Sequence, residues 1–132
     1  MFITVQGHKT YCYTGGKPFD ATKPTAVFIH GVLNDHSVWI LQTRWFANHG
    51  WNVLAVDLPG HCRSEGPPPA SVEDAAQFIV ALLDAAGVQR AALIGHSFGS
   101  LIALKQQPAH LSGSPTSRWW ARRTRWPCRT RC

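Results

Sequence analysis

The sequence feature that most constrains the fold is the pentapeptide Gly95-His96-Ser97-Phe98-Gly99. The run Ala91 to Ile94 before it is short and apolar, as in a buried parallel strand, and Ser100 to Leu104 after it suits a buried helix. Glycines on either side of Ser97 permit a sharp strand-to-helix turn, because they leave room for chain segments that side chains would push apart. The pattern predicts a nucleophile elbow, with the Ser97 hydroxyl exposed at a helix N-terminus that favours a forming oxyanion.

Two further strand–helix units precede this turn, and three in succession predict an α/β fold. The expected architecture is a mainly parallel sheet with helices on both faces. Ligands in such sheets bind at the C-terminal ends of the strands, where His30-Gly31, Asp57 and Ser97 all fall. The other predicted strands are Thr25 to Ile29 and Trp51 to Val56, preceded by an antiparallel pair, Phe2 to Val5 and Thr10 to Tyr13.

Two helices are predicted between these strands. In the first, Ser37 is the expected cap, and Val38, Leu41 and Trp45 are expected to form the apolar face. In the second, Ser71-Val72-Glu73-Asp74 has the pattern of a capping box. Its expected apolar face consists of Ala75, Ile79, Leu82, Leu83 and Ala86.

Charge divides the chain into two parts. The 132 residues carry a net charge of +6, yet residues 105–132 hold seven of the 13 basic residues and no acidic residue. The basic balance therefore says little about what residues 1–104 bind, and no specific nucleic-acid partner is expected. The chain has no apolar stretch long enough for a membrane span and no signal-peptide pattern, so a cytoplasmic protein is expected. Its four cysteines show neither a disulfide nor a metal-site spacing.

Three motifs in this order and at these separations carry a family resemblance. They are the strand ending in His30-Gly31-Val32, the turn Asp57 to Ser64, and the pentapeptide at 95–99. Residues 1–104 resemble the N-terminal half of an α/β-hydrolase. Cys62 stands where this family usually has glycine.

The resemblance implies a serine hydrolase that cleaves an ester or related acyl bond of a small molecule without a cofactor or metal. Ser97 would be the nucleophile, and the backbone N–H groups of Val32 and Phe98 would form the oxyanion hole. His36 is expected at the surface, with the lining of a pocket as the alternative, and Asp57 is expected to pin its turn. Residues expected to support the elbow and the oxyanion loop are His30, Gly31, Gly95, His96 and Gly99.

The family places a triad acid and a histidine after the elbow. After Ser97 this chain has no Asp or Glu, and its only histidine is His110. Activity is therefore expected to be impaired, and Ser97 to give at most feeble turnover.

Residues 105–132 form a basic tail rich in arginine and tryptophan. This composition is typical of a shifted reading frame, so a frameshift or truncation and a disordered tail are expected. The tail holds no run of four β-forming apolar residues, so Ala91 to Ile94 is expected to be an unpaired edge strand. The alternative function is a non-catalytic fragment or interaction module that acts through this tail, on single-stranded nucleic acid or an anionic membrane.

Overall fold

A computed structural model describes residues 1–20, 22–106 and 120–121. They form one mixed sheet with strand order β1-β2-β4-β3-β5-β6, in which β3, β4, β5 and β6 run parallel, and β2 pairs antiparallel with both β1 and β4. The predicted α/β class with a mainly parallel sheet is confirmed. In chain order the elements are β1 (Phe2–Val5), β2 (His8–Tyr13), β3 (Thr25–Ile29), a 3-10 helix (His36–Trp39), α1 (Ile40–Asn48), β4 (Asn52–Val56), α2 (Val72–Ala85), β5 (Ala91–Gly95), α3 (Phe98–Lys105) and β6 (Trp120–Ala121).

Helices cover both faces of the sheet, so the central strands are buried on both sides. Every residue of β3 and β4 is buried, and successive side chains point to opposite faces. Val27 and Ile29 join a core with α2 and α3, whereas Ala26 and Phe28 join a second core with α1. The continuous apolar runs that predicted these strands follow from this double burial.

The N-terminus of the first helix differs from the prediction. The cap is Asp35 rather than Ser37, and its carboxylate accepts a hydrogen bond from the Ser37 N–H at 2.7 Å. The 3-10 helix then leads directly into α1. Asp35 can take this role because an aspartate two residues before the free N–H groups reaches them as well as serine does.

The predicted apolar face of the first helix is wrong. Val38, Leu41 and Trp45 are 45%, 75% and 56% exposed. The side that packs on the sheet carries Trp39, Thr43 and Ala47, all buried. Both sets recur at helical spacing, so periodicity alone could not choose between them.

Helix α2 matches its prediction. The Ser71 hydroxyl accepts a hydrogen bond from the Asp74 N–H at 3.1 Å, as in a capping box. Four of the five residues predicted for its apolar face are buried, and the fifth, Ala86, packs against the same core. This helix therefore anchors one face of the sheet.

Two expectations about the end of the chain are corrected. Helix α3 was expected to be buried, yet only one side of it is, and Leu101 and Leu104 are exposed. The β5 edge was expected to be unpaired, yet β6 pairs with Ala92 and Leu93. Two residues can form a ladder through backbone groups alone, without an apolar run.

In the tail, Lys105 ends α3, and Trp120 and Ala121 form β6. Most of the tail, including His110, Cys128 and Cys132, lies outside the described residues, so the disorder predicted for that part stays a prediction. Among the described helices, none combines the length and apolar character that crossing a bilayer requires.

Candidate active site

Ser97 lies between the last residue of β5 and the first residue of α3. Its backbone has φ 55° and ψ −120°, a conformation that residues with a Cβ atom seldom adopt. The residue is exposed. The strand, turn and helix thus hold Ser97 in a strained conformation that turns it toward solvent.

The glycines around Ser97 are required by close backbone approach. A Cβ atom on Gly95 would collide with the backbone of Gly99 and Ser100, and one on Gly99 would collide with the carbonyl oxygen of Ile29. On the opposite side of the turn, a Cβ atom on Gly31 would lie 3.2 Å from the Ser97 Cβ. Because these three glycines have no side chain, the end of β3 can lie close against the turn that holds Ser97.

Two backbone N–H groups near this turn have no partner in the part of the chain that the structure describes. They belong to Phe98, the first residue of α3, and to Val32, which follows Gly31. Val32 and Phe98 also line one pocket of about 390 Å³. Among its other lining residues are Leu33, His61 and Pro69. An acceptor atom bound in this pocket could reach N–H groups that the protein leaves unused.

The His96 side chain is exposed, and the backbone of this residue forms the hydrogen bonds that hold the turn. Its N–H donates to the Ile29 carbonyl at 3.2 Å, and its carbonyl accepts from the Gly99 N–H at 2.9 Å. These two bonds connect the turn to β3 and to the first turn of α3.

His30 is fully buried at the end of β3, and both of its ring nitrogens have partners. Nδ1 lies 2.7 Å from the Gly31 carbonyl oxygen, and Nε2 accepts a hydrogen bond from the Leu58 N–H at 3.0 Å. Burial lowers the pKa of the imidazole, so its neutral form predominates. Neither nitrogen is free to take a proton from a substrate.

His36 is not the surface histidine that was expected. Only 14% of its side chain is exposed, and Nδ1 lies 2.8 Å from Oδ1 of Asp57, which is fully buried. Asp57 also accepts hydrogen bonds from the N–H groups of His36 (2.8 Å) and Arg63 (3.3 Å). It thus binds the preceding loop as well as its own turn. The signal that could have revealed the pair is that both residues follow neighbouring parallel strands.

The structure does not bring His36 and Asp57 to Ser97. Strand β3 separates β4 from β5, which places the ends of those two strands roughly 10 Å apart. The His36 ring packs against Tyr11 and Tyr13 of β2, with centroids 4.9 and 6.0 Å away, on the far side of β4. The pair is therefore a separate cluster.

Cys62 completes this second cluster. Its thiol, the Asp57 carboxylate and the His36 imidazole lie within 4.8 Å of one another. The residue is exposed and its φ is 45°. Partial desolvation, together with the nearby carboxylates of Asp57 and Asp35, raises the pKa of the thiol.

A family profile described as "alpha/beta hydrolase fold" matches residues 24–105, well over half of the chain. This chain belongs to the α/β-hydrolase family. It is 34% identical over 86 residues to a 2-succinyl-6-hydroxy-2,4-cyclohexadiene-1-carboxylate synthase of Serratia proteamaculans, covering 64% of this chain and 32% of the synthase. It is 31% identical over 80 residues to an epoxide hydrolase of Caballeronia sordidicola, covering 58% and 24%.

Solved α/β-hydrolase structures agree with this assignment. The N-acyl homoserine lactone degrading enzyme Est816 superimposes with a TM-score of 0.68 at 30% identity, covering 89% of this chain and 42% of that enzyme. This α/β-hydrolase chain spans about a third or less of the two curated relatives named above. Those relatives catalyse different reactions, so the family alone does not decide the substrate.

Proposed function

We propose that this chain carries the nucleophile and the oxyanion hole of a hydrolase that cleaves an ester or related acyl bond of a small molecule. The observation that carries the proposal is the conformation of Ser97, which is exposed at φ 55° between β5 and α3. A strained turn at this place in an α/β-hydrolase exposes a nucleophile at the C-terminal edge of the sheet.

In the proposed reaction, Oγ of Ser97 attacks the carbonyl carbon of the substrate. The negative charge that develops on the carbonyl oxygen is stabilised by the N–H groups of Val32 and Phe98, which have no partner in the described residues. The alcohol leaves and an acyl-serine ester remains. Water then cleaves that ester and restores the hydroxyl.

The chemistry of serine favours acyl bonds over the epoxides that some relatives open. If Ser97 attacked an epoxide, the product would be an ether between Oγ and carbon, and water does not readily cleave an ether. An acyl-serine is an ester, which water does cleave. A substrate with a carbonyl carbon therefore permits turnover, whereas an epoxide would consume the serine.

The supporting residues act through the backbone. Gly31, held by the His30 ring, positions the Val32 N–H, and Gly95, His96 and Gly99 hold the turn that carries Ser97 and Phe98. We assign them positioning roles, because neither ring nitrogen of His30 is free and the bonds of His96 at the turn come from its backbone.

Among the described residues no histidine ring forms a hydrogen bond with Oγ of Ser97, and His110 lies outside them. An unassisted serine is a poor nucleophile at neutral pH. We therefore propose that this chain is impaired. Its rate with an activated ester should exceed the uncatalysed rate by about 10³–10⁴-fold at most, which is what oxyanion stabilisation and binding alone supply.

The test uses 4-nitrophenyl acetate with peptide mass spectrometry of the acetylated protein. We expect slow nitrophenol release and one acetyl group on Ser97, both lost in Ser97→Ala. Ser100→Ala is the matched control, since Ser100 is a second serine three residues away, in the first turn of α3, and its loss should leave acetylation of Ser97 in place. Acetylation that spares Ser97 would overturn its role. Rapid turnover that Ser97→Ala abolishes would overturn the impairment, and His110→Ala would then test the base.

A further inference from the structure

We propose that His36, Asp57 and Cys62 form a binding site for a transition-metal dication of the Zn²⁺ type. This cluster is separate from Ser97 and the proposed reaction does not use it. One imidazole nitrogen, one carboxylate oxygen and one sulfur lie within 4.8 Å of one another. His36 is the first residue of the 3-10 helix that follows β3, and the other two come from the turn after β4, so a bound ion would join these two connections.

The charge around Asp57 favours a cation. Its side chain is fully buried, and across the described ranges its one ion-pairing partner is the His36 imidazole, which is charged only when protonated; no lysine or arginine pairs with it. Its hydrogen-bond partners are the His36 ring and the backbone N–H groups of His36 and Arg63. A buried carboxylate is costly without a positive partner, and a metal ion between these residues would supply one.

The donor set selects the class of metal. Imidazole, thiolate and carboxylate together suit Zn²⁺ and its analogue Co²⁺, whereas Mg²⁺ and Ca²⁺ prefer oxygen ligands alone. Bonds of about 2.0–2.3 Å place the ligand atoms of a tetrahedral ion roughly 3.3–3.8 Å apart. Nδ1 of His36 and Oδ1 of Asp57 lie 2.8 Å apart, so these two atoms need to separate by roughly 0.5 Å to admit the ion. Cys62 is exposed, which leaves its side chain free to rotate and the fourth position open to water.

The scaffold already orients two of the three ligands. The His36 N–H is bonded to Asp57, and Tyr11 packs edge-on against the His36 ring. Coordination would release the thiol proton of Cys62 to solvent. In the unloaded site Nδ1–H donates to Asp57, so the imidazole proton would have to leave Nδ1 and the ring take the Nε2–H tautomer before Nδ1 offers its lone pair to the ion.

The test adds Co²⁺ to the full chain carrying Cys128→Ser and Cys132→Ser, which removes the two cysteines outside the described residues. Cys12 can stay, because it is fully buried and burial raises the pKa of its thiol to about 12. We expect one Co²⁺ per chain, a thiolate-to-cobalt charge-transfer band in the near ultraviolet, and displacement of that band by Zn²⁺.

Two variants and a control locate the site. Cys62→Gly should abolish the band and should fold, since glycine readily adopts the φ of 45° found there. His36→Gln should weaken binding at least about tenfold. His49→Ala removes an exposed histidine of the helical layer and should leave binding unchanged.

Absence of a band in the folded parent chain at saturating Co²⁺, or a band of equal strength in Cys62→Gly, would overturn the proposal. Circular dichroism establishes folding in each case. If His36→Gln does not fold, the comparison between the parent chain and Cys62→Gly still decides.

Discussion

The Nε2 atom of His30 accepts a hydrogen bond from the Leu58 N–H at 3.0 Å, and this bond joins the end of β3 to the end of β4. The other ring nitrogen faces the Gly31 carbonyl oxygen at 2.7 Å. Because Nε2 is an acceptor here, the ring must be neutral in the folded chain. A protonated ring would bring two donors, Nε2–H and the Leu58 N–H, against each other.

This arrangement predicts that the folded chain loses stability in mild acid. Burial lowers the pKa of His30 below its ordinary value of 6.5, so the unfolded chain binds the proton more readily. The contribution of the neutral His30 ring to the free energy of unfolding is complete above pH 6.5. It declines as the pH falls below 6.5, by at most about 1.4 kcal/mol per pH unit, until the pH reaches the pKa of His30 in the folded chain.

Urea unfolding at several pH values between about 7.5 and 5.5 measures this slope. His30→Gln is the comparison, because the other histidines contribute equally to both proteins. We expect a shallower slope in the variant, together with a loss of about 1–3 kcal/mol at neutral pH from the broken hydrogen bonds. Identical slopes would show that His30 titrates alike in the folded and unfolded chains.

Ser97→Gly should stabilise the chain while removing its proposed nucleophile. At φ 55° and ψ −120° a residue with a Cβ atom carries strain of about 1–3 kcal/mol. Glycine avoids that strain, and its greater freedom in the unfolded chain costs about 0.5–1 kcal/mol. We expect a net gain of about 1 kcal/mol in the free energy of unfolding, measured by urea denaturation.

Ser100→Gly is the matched control, because Ser100 has ordinary helical geometry within α3. Ser100→Gly should lower the free energy of unfolding by about 1 kcal/mol. A loss of similar size in Ser97→Gly would mean that the turn is not strained in solution.

Gly99→Ala should be among the most destabilising single substitutions in the chain. The new methyl group would meet the carbonyl oxygens of Ile29 and His30, which are backbone atoms and cannot rotate away. We expect a loss of about 3 kcal/mol or more in the free energy of unfolding.

Gly50→Ala separates steric collision from backbone strain. Gly50 has φ 83°, and a Cβ atom there would meet nothing within 4 Å. Gly50→Ala should lower the free energy of unfolding by only about 1–2 kcal/mol, the cost of a positive φ without a steric clash. If thermal or urea unfolding showed equal losses of stability for Gly99→Ala and Gly50→Ala, close backbone approach would not be the reason that position 99 requires glycine.

The sequence alone was sufficient for the elements whose signal is local. Strands β3 and β4 are buried on both faces, and β5 is buried on one face and half-buried on the other, so each is a mainly apolar run. Helix α2 has its cap and its apolar face within 16 consecutive residues, Ser71 to Ala86. The setting of Ser97 was also predictable, because the glycines that permit its turn are its neighbours in the chain.

Tertiary structure decided the features for which two local sequence patterns fit equally well, or for which the sequence holds no local pattern. Two sets of residues in the first helix recur at helical spacing, and only packing against Phe28 made Trp39 the buried one. The pairing of His36 with Asp57 joins residues 21 positions apart, on loops whose proximity follows from strand order. Strand β6 pairs with β5 through backbone groups, which every residue except proline carries in the same form. Periodicity reports which residues share a face, whereas the assembled sheet determines which face is buried and which loops meet.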